Sequence, residues 1–206
     1  MKSKVTVIKS NGEGMEEALR QTELCAQAYD LKGKDALHLR LLGEELMGML
    51  RAVTGEKVYK YWIEENDSCF ELHLSTETLM DLDKRDKLLS LSTTGYNAAD
   101  KGFMGKIRSL IDILSTPESA GIPSVMELGM SDLAGESSLW LAASTATWSL
   151  NSYKNGIEQH MAADSEAVEA WDELERSIVG KIADEVSVAL RGGNVEMIIY
   201  KSFPEK

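Results

Sequence analysis

The sequence predicts an α/β protein of the α+β kind, a two-layer sandwich in which a mixed, largely antiparallel sheet carries helices packed on one face. Three observations point there. Apolar residues recur at helical intervals along Leu39, Leu42, Leu46, Met49, Leu50 and Val53. Residues 57–64, 68–74, 186–190 and 195–201 are short and rich in β-branched or aromatic residues. The helical stretch also leads directly into two of these strands, joined by a polar turn, which favours antiparallel pairing over a doubly wound parallel sheet.

In chain order, Val5 to Lys9 is β-branched and alternating, and reads as a first strand. Asn11-Gly12-Glu13-Gly14 breaks it, and Met15, Leu19, Thr22, Ala26 and Tyr29 mark an amphipathic helix. A strand, a Gly-x-Gly turn and a helix suggest a dinucleotide site, but Glu17 stands where the third glycine would allow close packing. Lys32-Gly33-Lys34 punctuates the chain, Asp35 suits the first turn of a second helix, and Gly55 ends that helix. Lys57–Glu64 and Ser68–Leu74 form a hairpin around Glu65-Asn66-Asp67.

Residues 76–102 carry a weak pattern that fits a solvated helix or a loop, and Asp100 can cap a helix running to Leu114. From Ser115 to about Ser138 the composition is that of a long loop. In 139–153 the alternation of Ala146, Trp148, Leu150 and Ser152 favours a strand, with a buried helix as the alternative. After Asn155-Gly156 a long helix is expected over 165–184, burying Val168, Trp171, Leu174, Ile178 and Ile182. Val186–Leu190 and Val195–Lys201 close the chain as a hairpin around Arg191-Gly192-Gly193-Asn194. Residues 1–206 therefore read as a single domain with an extended variable region, about 76–156.

Composition bounds the function. Apolar residues make up 43% and charged residues 27% of the 206-residue chain, as expected of a globular domain with its own core. The formal net charge of −12 repels phosphate backbones and anionic lipid, so a protein partner is expected, with neither nucleic acid nor membrane. Cys25 and Cys69 have no metal-ligand spacing and read as reduced, buried thiols. No signal peptide or membrane span is discernible, which places the chain in the cytoplasm. His38, His73 and His160 lie in separate elements and read as structural residues, and Trp62, Trp140, Trp148 and Trp171 read as core.

Glu44 and Gly48 fall one turn apart on a second face of the 37–53 helix. A helix with such a glutamate, followed by a hairpin, a variable segment, a helix and a final hairpin, resembles the Bergerat-type sandwich of the histidine-kinase-like ATPases. The bacterial anti-sigma-factor serine kinases are the nearest likeness. The stretch Ile182-Ala183-Asp184-Glu185-Val186 leading into the last strand is similar to the end of those kinases.

The resemblance implies that Glu44 would be the base that activates the attacking hydroxyl or water. It also implies an asparagine for magnesium where this chain has Gly48, and an Asp-x-Gly-x-Gly after the hairpin where it has Ser75-Thr76-Glu77. Aligned from the C-terminus, Glu173 and Glu175 occupy the place of phosphate-binding glycines, and their charge would repel a triphosphate. Gly102 and Gly105 are a rival glycine pair at a helix start, with Lys101 and Lys106 beside them to neutralise phosphate.

The expectation is a regulatory protein of anti-sigma type that binds a sigma factor or its antagonist and whose nucleotide site is degenerate, without cofactor or protein-bound metal. ATP and magnesium would enter only if Glu44, Gly48, Thr76, Lys101, Gly102, Gly105 and Lys106 still form a site. The alternative is then an active serine kinase or ATPase. In the family the face near the first helix contributes to dimerisation, so a homodimer is a further implication. The bland reading of Glu44 is an ion pair with Arg40 or Arg51 on the helix surface.

Overall fold

The structure, a computed structural model, describes residues 1–54, 58–77, 147–161, 165–191 and 194–204. In order, the described elements are β1 (Thr6–Lys9), α1 (Met15–Ala28), α2 (Lys34–Thr54), β2 (Val58–Asn66), β3 (Cys69–Glu77), β4 (Thr147–Ser149), α3 (Leu150–His160), α4 (Ser165–Arg176), α5 (Ile178–Ile182), β5 (Glu185–Arg191) and β6 (Asn194–Ser202). The strands form one sheet in the order β1-β2-β3-β6-β5-β4. Every pairing among them is antiparallel, so the expected sandwich is present and no parallel pair contributes to it among the described residues.

Side-chain alternation assigns the two faces of the sheet. Ile8, Tyr59, Tyr61, Ile63, Leu72, Leu74, Val186, Val188, Met197 and Ile199 share one face by register, and all are buried. They form a single cluster with Ala18, Leu19, Cys25 and Ala26 of α1, Leu39, Leu42, Leu46 and Met49 of α2, Leu150, Leu174 and Val179. One face of the sheet is therefore roofed by helices, and the apolar row of α2 is its central beam.

Gly14 shows how tight the entry to α1 is. Its φ is +87°, and a Cβ built there would lie 2.1 Å from the Val7 carbonyl oxygen. Both conditions demand glycine, so the Gly-x-Gly turn serves the join between β1 and α1. At the heart of the roof, the Tyr61 hydroxyl meets Thr22 Oγ1 at 2.7 Å, and Thr22 also donates to the Ala18 carbonyl at 3.0 Å. Burial pushes the Tyr61 phenol well above its ordinary range.

Several elements differ from expectation. The β2–β3 strands run further than their sequence pattern, leaving only Asp67 and Ser68 as the turn. Both have positive φ, 49° and 64°, which matches the right-handed twist of the flanking strands. Residues 147–149 are a three-residue edge strand, and α3 begins at Leu150, so the alternation around Trp148 belongs to a strand only briefly. Ser149 ends that strand by capping the helix, accepting from the Ser152 N–H. Asn155 and Gly156 lie inside α3 and make no turn.

The expected long helix over 165–184 is two helices broken at Ser177. Ser177 is extended, its hydroxyl accepts from the Gly180 N–H at 2.8 Å and donates to the Leu174 carbonyl at 2.8 Å. That exchange restarts the helix on a new axis. The buried row shifts with it to Ala167, Leu174 and Val179, while Val168 is 40% exposed. Gly55, Trp140, Gly192, Gly193 and the expected elements between 78 and 146 lie outside the described residues. No helix among the described residues is long and apolar enough to cross a membrane.

Candidate functional site

Glu44 lies on α2 beyond the buried row and is a little over a third exposed. Its Oε1 accepts from Arg40 Nε at 3.2 Å, one turn earlier, and Arg40 also bonds Glu23 of α1. The helical spacing that puts Glu44 in one row with Arg40 therefore makes it the end of a carboxylate–guanidinium–carboxylate chain that ties α2 to α1. Gly48, one turn further, is exposed, and a Cβ there would meet nothing within 4 Å. It offers backbone and open space where the resemblance implies a magnesium ligand.

Thr76 is buried at the end of β3, and its hydroxyl donates to the Val58 carbonyl of β2 at 2.8 Å. That bond commits it to the sheet. No hydrogen bond or ion pair joins Thr76 to Glu44. Lys101, Gly102, Gly105 and Lys106 lie outside the described residues. Glu173 and Glu175 are exposed on α4. Among the described residues no group of three His, Cys, Asp or Glu side chains is placed to hold a metal ion. Cys25 is buried, and burial raises its thiol above the ordinary range, which suits packing and opposes nucleophilic chemistry. Cys69 is only partly buried, contrary to expectation, and no disulfide joins the two.

A different constellation lies on the sheet face away from the helices. Trp62 and His73 stand opposite each other across β2 and β3, with ring centroids 4.7 Å apart and planes 11° apart. Although it faces away from the roof, His73 is only 6% exposed. Its Nδ1 lies 3.0 Å from Glu196 Oε1 of β6. On the other side, Nε2 is 3.3 Å from Glu71 Oε2 but makes no hydrogen bond, so a carboxylate stands beside it without alignment. Trp62 is thus not in the core, as sequence suggested, but the half-buried member of an aromatic stack on the opposite face.

Next to the stack, Trp62 Nε1 donates to Glu64 Oε1 at 2.8 Å. Lys2 Nζ bonds the same oxygen at 2.7 Å and sits 5.0 Å over the Trp62 ring. The Lys2 ammonium and then the indole N–H hold the Glu64 carboxyl below its ordinary range. Glu64, Glu71 and Glu196 have side chains 30%, 24% and 29% exposed, so solvent reaches all three. Beside them on the same face lie Val7 and Val58, 52% and 50% exposed, with Val5 just before β1 at 43%.

This face holds no activated nucleophile and no metal ligand set among the described residues; it holds an ammonium between a carboxylate and an indole. The signal was in the sequence, because alternation puts Trp62 and Glu64 on one side of β2 and Glu71 and His73 on one side of β3. Only the hairpin register brings the pairs together, and Glu196 arrives from 123 residues away. No family model, curated protein or solved structure matches the chain.

Proposed function

We propose that the protein is a regulatory, signal-transducing module that acts by binding another protein, in the manner of an anti-sigma factor, with a nucleotide site that has decayed. The engagement of Glu44 by Arg40 carries this reading: the would-be base is one end of a charge chain between two helices. Gly48 supplies no side chain for magnesium, and the Thr76 hydroxyl is spent on Val58. The order of strand, helix, glutamate-bearing helix, hairpin and closing hairpin supports the likeness to the histidine-kinase-like sandwich.

On this reading the partner is a sigma factor or its antagonist, met in the cytoplasm, with a homodimer as a compatible assembly. The charge of −12 disfavours nucleic acid and anionic membrane as partners. Calorimetric titration with ATP and a non-hydrolysable analogue, with and without magnesium, tests the proposal. No saturable binding at millimolar nucleotide is expected. Saturable, magnesium-dependent binding that disappears in Glu44→Ala would instead make the protein a kinase or ATPase.

A further inference from the structure

We propose that His73 is a proton-operated tie on the sheet face away from the helices: a second proton on its ring draws Glu71 into a chain Glu71–His73–Glu196 and stiffens the stack with Trp62. The inference goes beyond the protein-binding reading and does not depend on it. Nδ1 lies 3.0 Å from Glu196 Oε1. An ionised carboxylate only accepts, so the neutral ring keeps its one hydrogen on Nδ1. Nε2 then presents a lone pair, 3.3 Å from Glu71 Oε2 and without a hydrogen bond, on a side chain that is 8% exposed. Acceptor faces acceptor where water scarcely reaches. A proton on Nε2 turns that contact into a charge-assisted hydrogen bond.

The charges around the ring are mixed, and their pairing singles out Glu71. On β2, Lys60 and Glu64 flank Trp62 on the face that His73 shares, and Lys9 of β1 stands opposite Val58. Each ammonium has a carboxylate of its own: Lys60 has Glu77, Lys9 has Glu13, and Lys2 has Glu64. On β6, Glu196 and Tyr200 flank Ile198, the residue opposite His73, and Glu196 has a further interaction besides the one with His73. Glu71 is held by a long bond of 3.4 Å from Asn66 Nδ2 to its Oε1, and its side chain is 24% exposed, so a small turn aligns Oε2 with Nε2. Histidine suits such a device, because imidazole changes charge between about pH 5 and 8. A charged ring also holds an indole face more firmly than a neutral one, so the proton that recruits Glu71 also steadies Trp62.

NMR of the full chain tests the tie between about pH 8 and about pH 5, with nitrogen-15 in the histidine rings and carbon-13 in the glutamate carboxyls. At the alkaline end His73 is expected to carry its hydrogen on Nδ1 and none on Nε2. As the ring gains its second proton, an Nε2–H signal should emerge, and the Glu71 carboxyl and Trp62 indole signals should move with it. In Glu71→Ala that hydrogen should exchange with water about tenfold faster, and Glu71→Gln, which keeps the shape and a neutral acceptor, should fall between. A hydrogen on Nε2 at the alkaline end would overturn the proposal. So would a ring that gains no second proton in this range, a Glu71 signal that stays still while it does, or equal exchange in wild type and Glu71→Ala. The wild-type spectra alone decide if a variant fails to fold.

Discussion

Tyr29 donates its phenolic hydrogen to Glu65, joining the C-terminal end of α1 to β2. The bond moves both groups in opposite directions. The carboxylate beside it, with burial, pushes the Tyr29 phenol up to about 12, and the phenolic hydrogen bond holds the Glu65 carboxyl below its ordinary 4.5. A depressed carboxyl contributes stability that is present above about pH 4.5 and lost as pH falls through its folded pKa. A raised phenol contributes stability that is present below its ordinary 10 and lost as pH rises towards about 12. Tyr29→Phe is therefore expected to cost about 1 kcal/mol near neutrality and to flatten both limbs of the stability profile. Urea denaturation across the acid and alkaline ranges reads both limbs. A variant with unchanged limbs would show that the bond is not populated in solution.

The Arg40–Glu44 pair was legible from sequence, because four residues on a helix bring side chains together. Glu23, the third member, was not, since only the packing of α1 on α2 delivers it. The same contrast separates Trp62 from its surroundings: its strand could be named, but its face follows from register, and one residue of slip would have buried it.

Helix glycines give the sharpest test among the elements. Gly48 has helical backbone, solvent around it and nothing within 4 Å of a built Cβ, whereas a Cβ at Gly180 would lie 2.2 Å from the Leu174 carbonyl oxygen and 2.8 Å from Ser177 Oγ. Gly48→Ala should stabilise the protein by about 1 kcal/mol. Gly180→Ala should destabilise it by about 2 kcal/mol, because the α4–α5 join cannot open without losing the Ser177 bonds. Urea midpoints of the two variants give opposite signs if the join is as described. A gain at both positions would mean that α4 and α5 are one continuous helix in solution.

That join also explains why the sequence reading overran it. The apolar spacing across 165–184 is helical throughout, and Ser177 is a common helix-surface residue. The break comes from local competition: a serine side chain offers Gly180 and Leu174 bonds that the continuing helix would have made with backbone. In contrast, α2 and the β2–β3 hairpin were legible because every local preference there agrees with the packing.

Across the molecule, the central seam is the pairing of β3 with β6, nine residues in register from Cys69 opposite Ser202 to Glu77 opposite Asn194. Its inward residues Leu72, Leu74, Met197 and Ile199 are all at most 1% exposed. Their amides should be the slowest to exchange with deuterium, with opening energies that approach global unfolding, and those of β1 and β4 at the sheet edges the fastest. Exchange followed by NMR checks the order. Comparable protection at an edge and at the seam would indicate that the edge strands are covered in solution. Sequence could name the hairpins but not this seam, since pairing across more than a hundred residues leaves no local trace.

The seam also fixes where the stretch from 78 to 146 is anchored. β3 ends at Glu77 and β4 begins at Thr147, at the same end of the sheet, because Thr147 is level with Ala189, Ala189 with Glu196, and Glu196 with Ser75. Two strands stand between the anchor points, so three strand spacings, about 14 Å, separate them, a gap that about five extended residues can span. The hydrogen-bonded frame therefore works as a socket: lengthening or shortening the chain between those posts changes the closure cost only logarithmically.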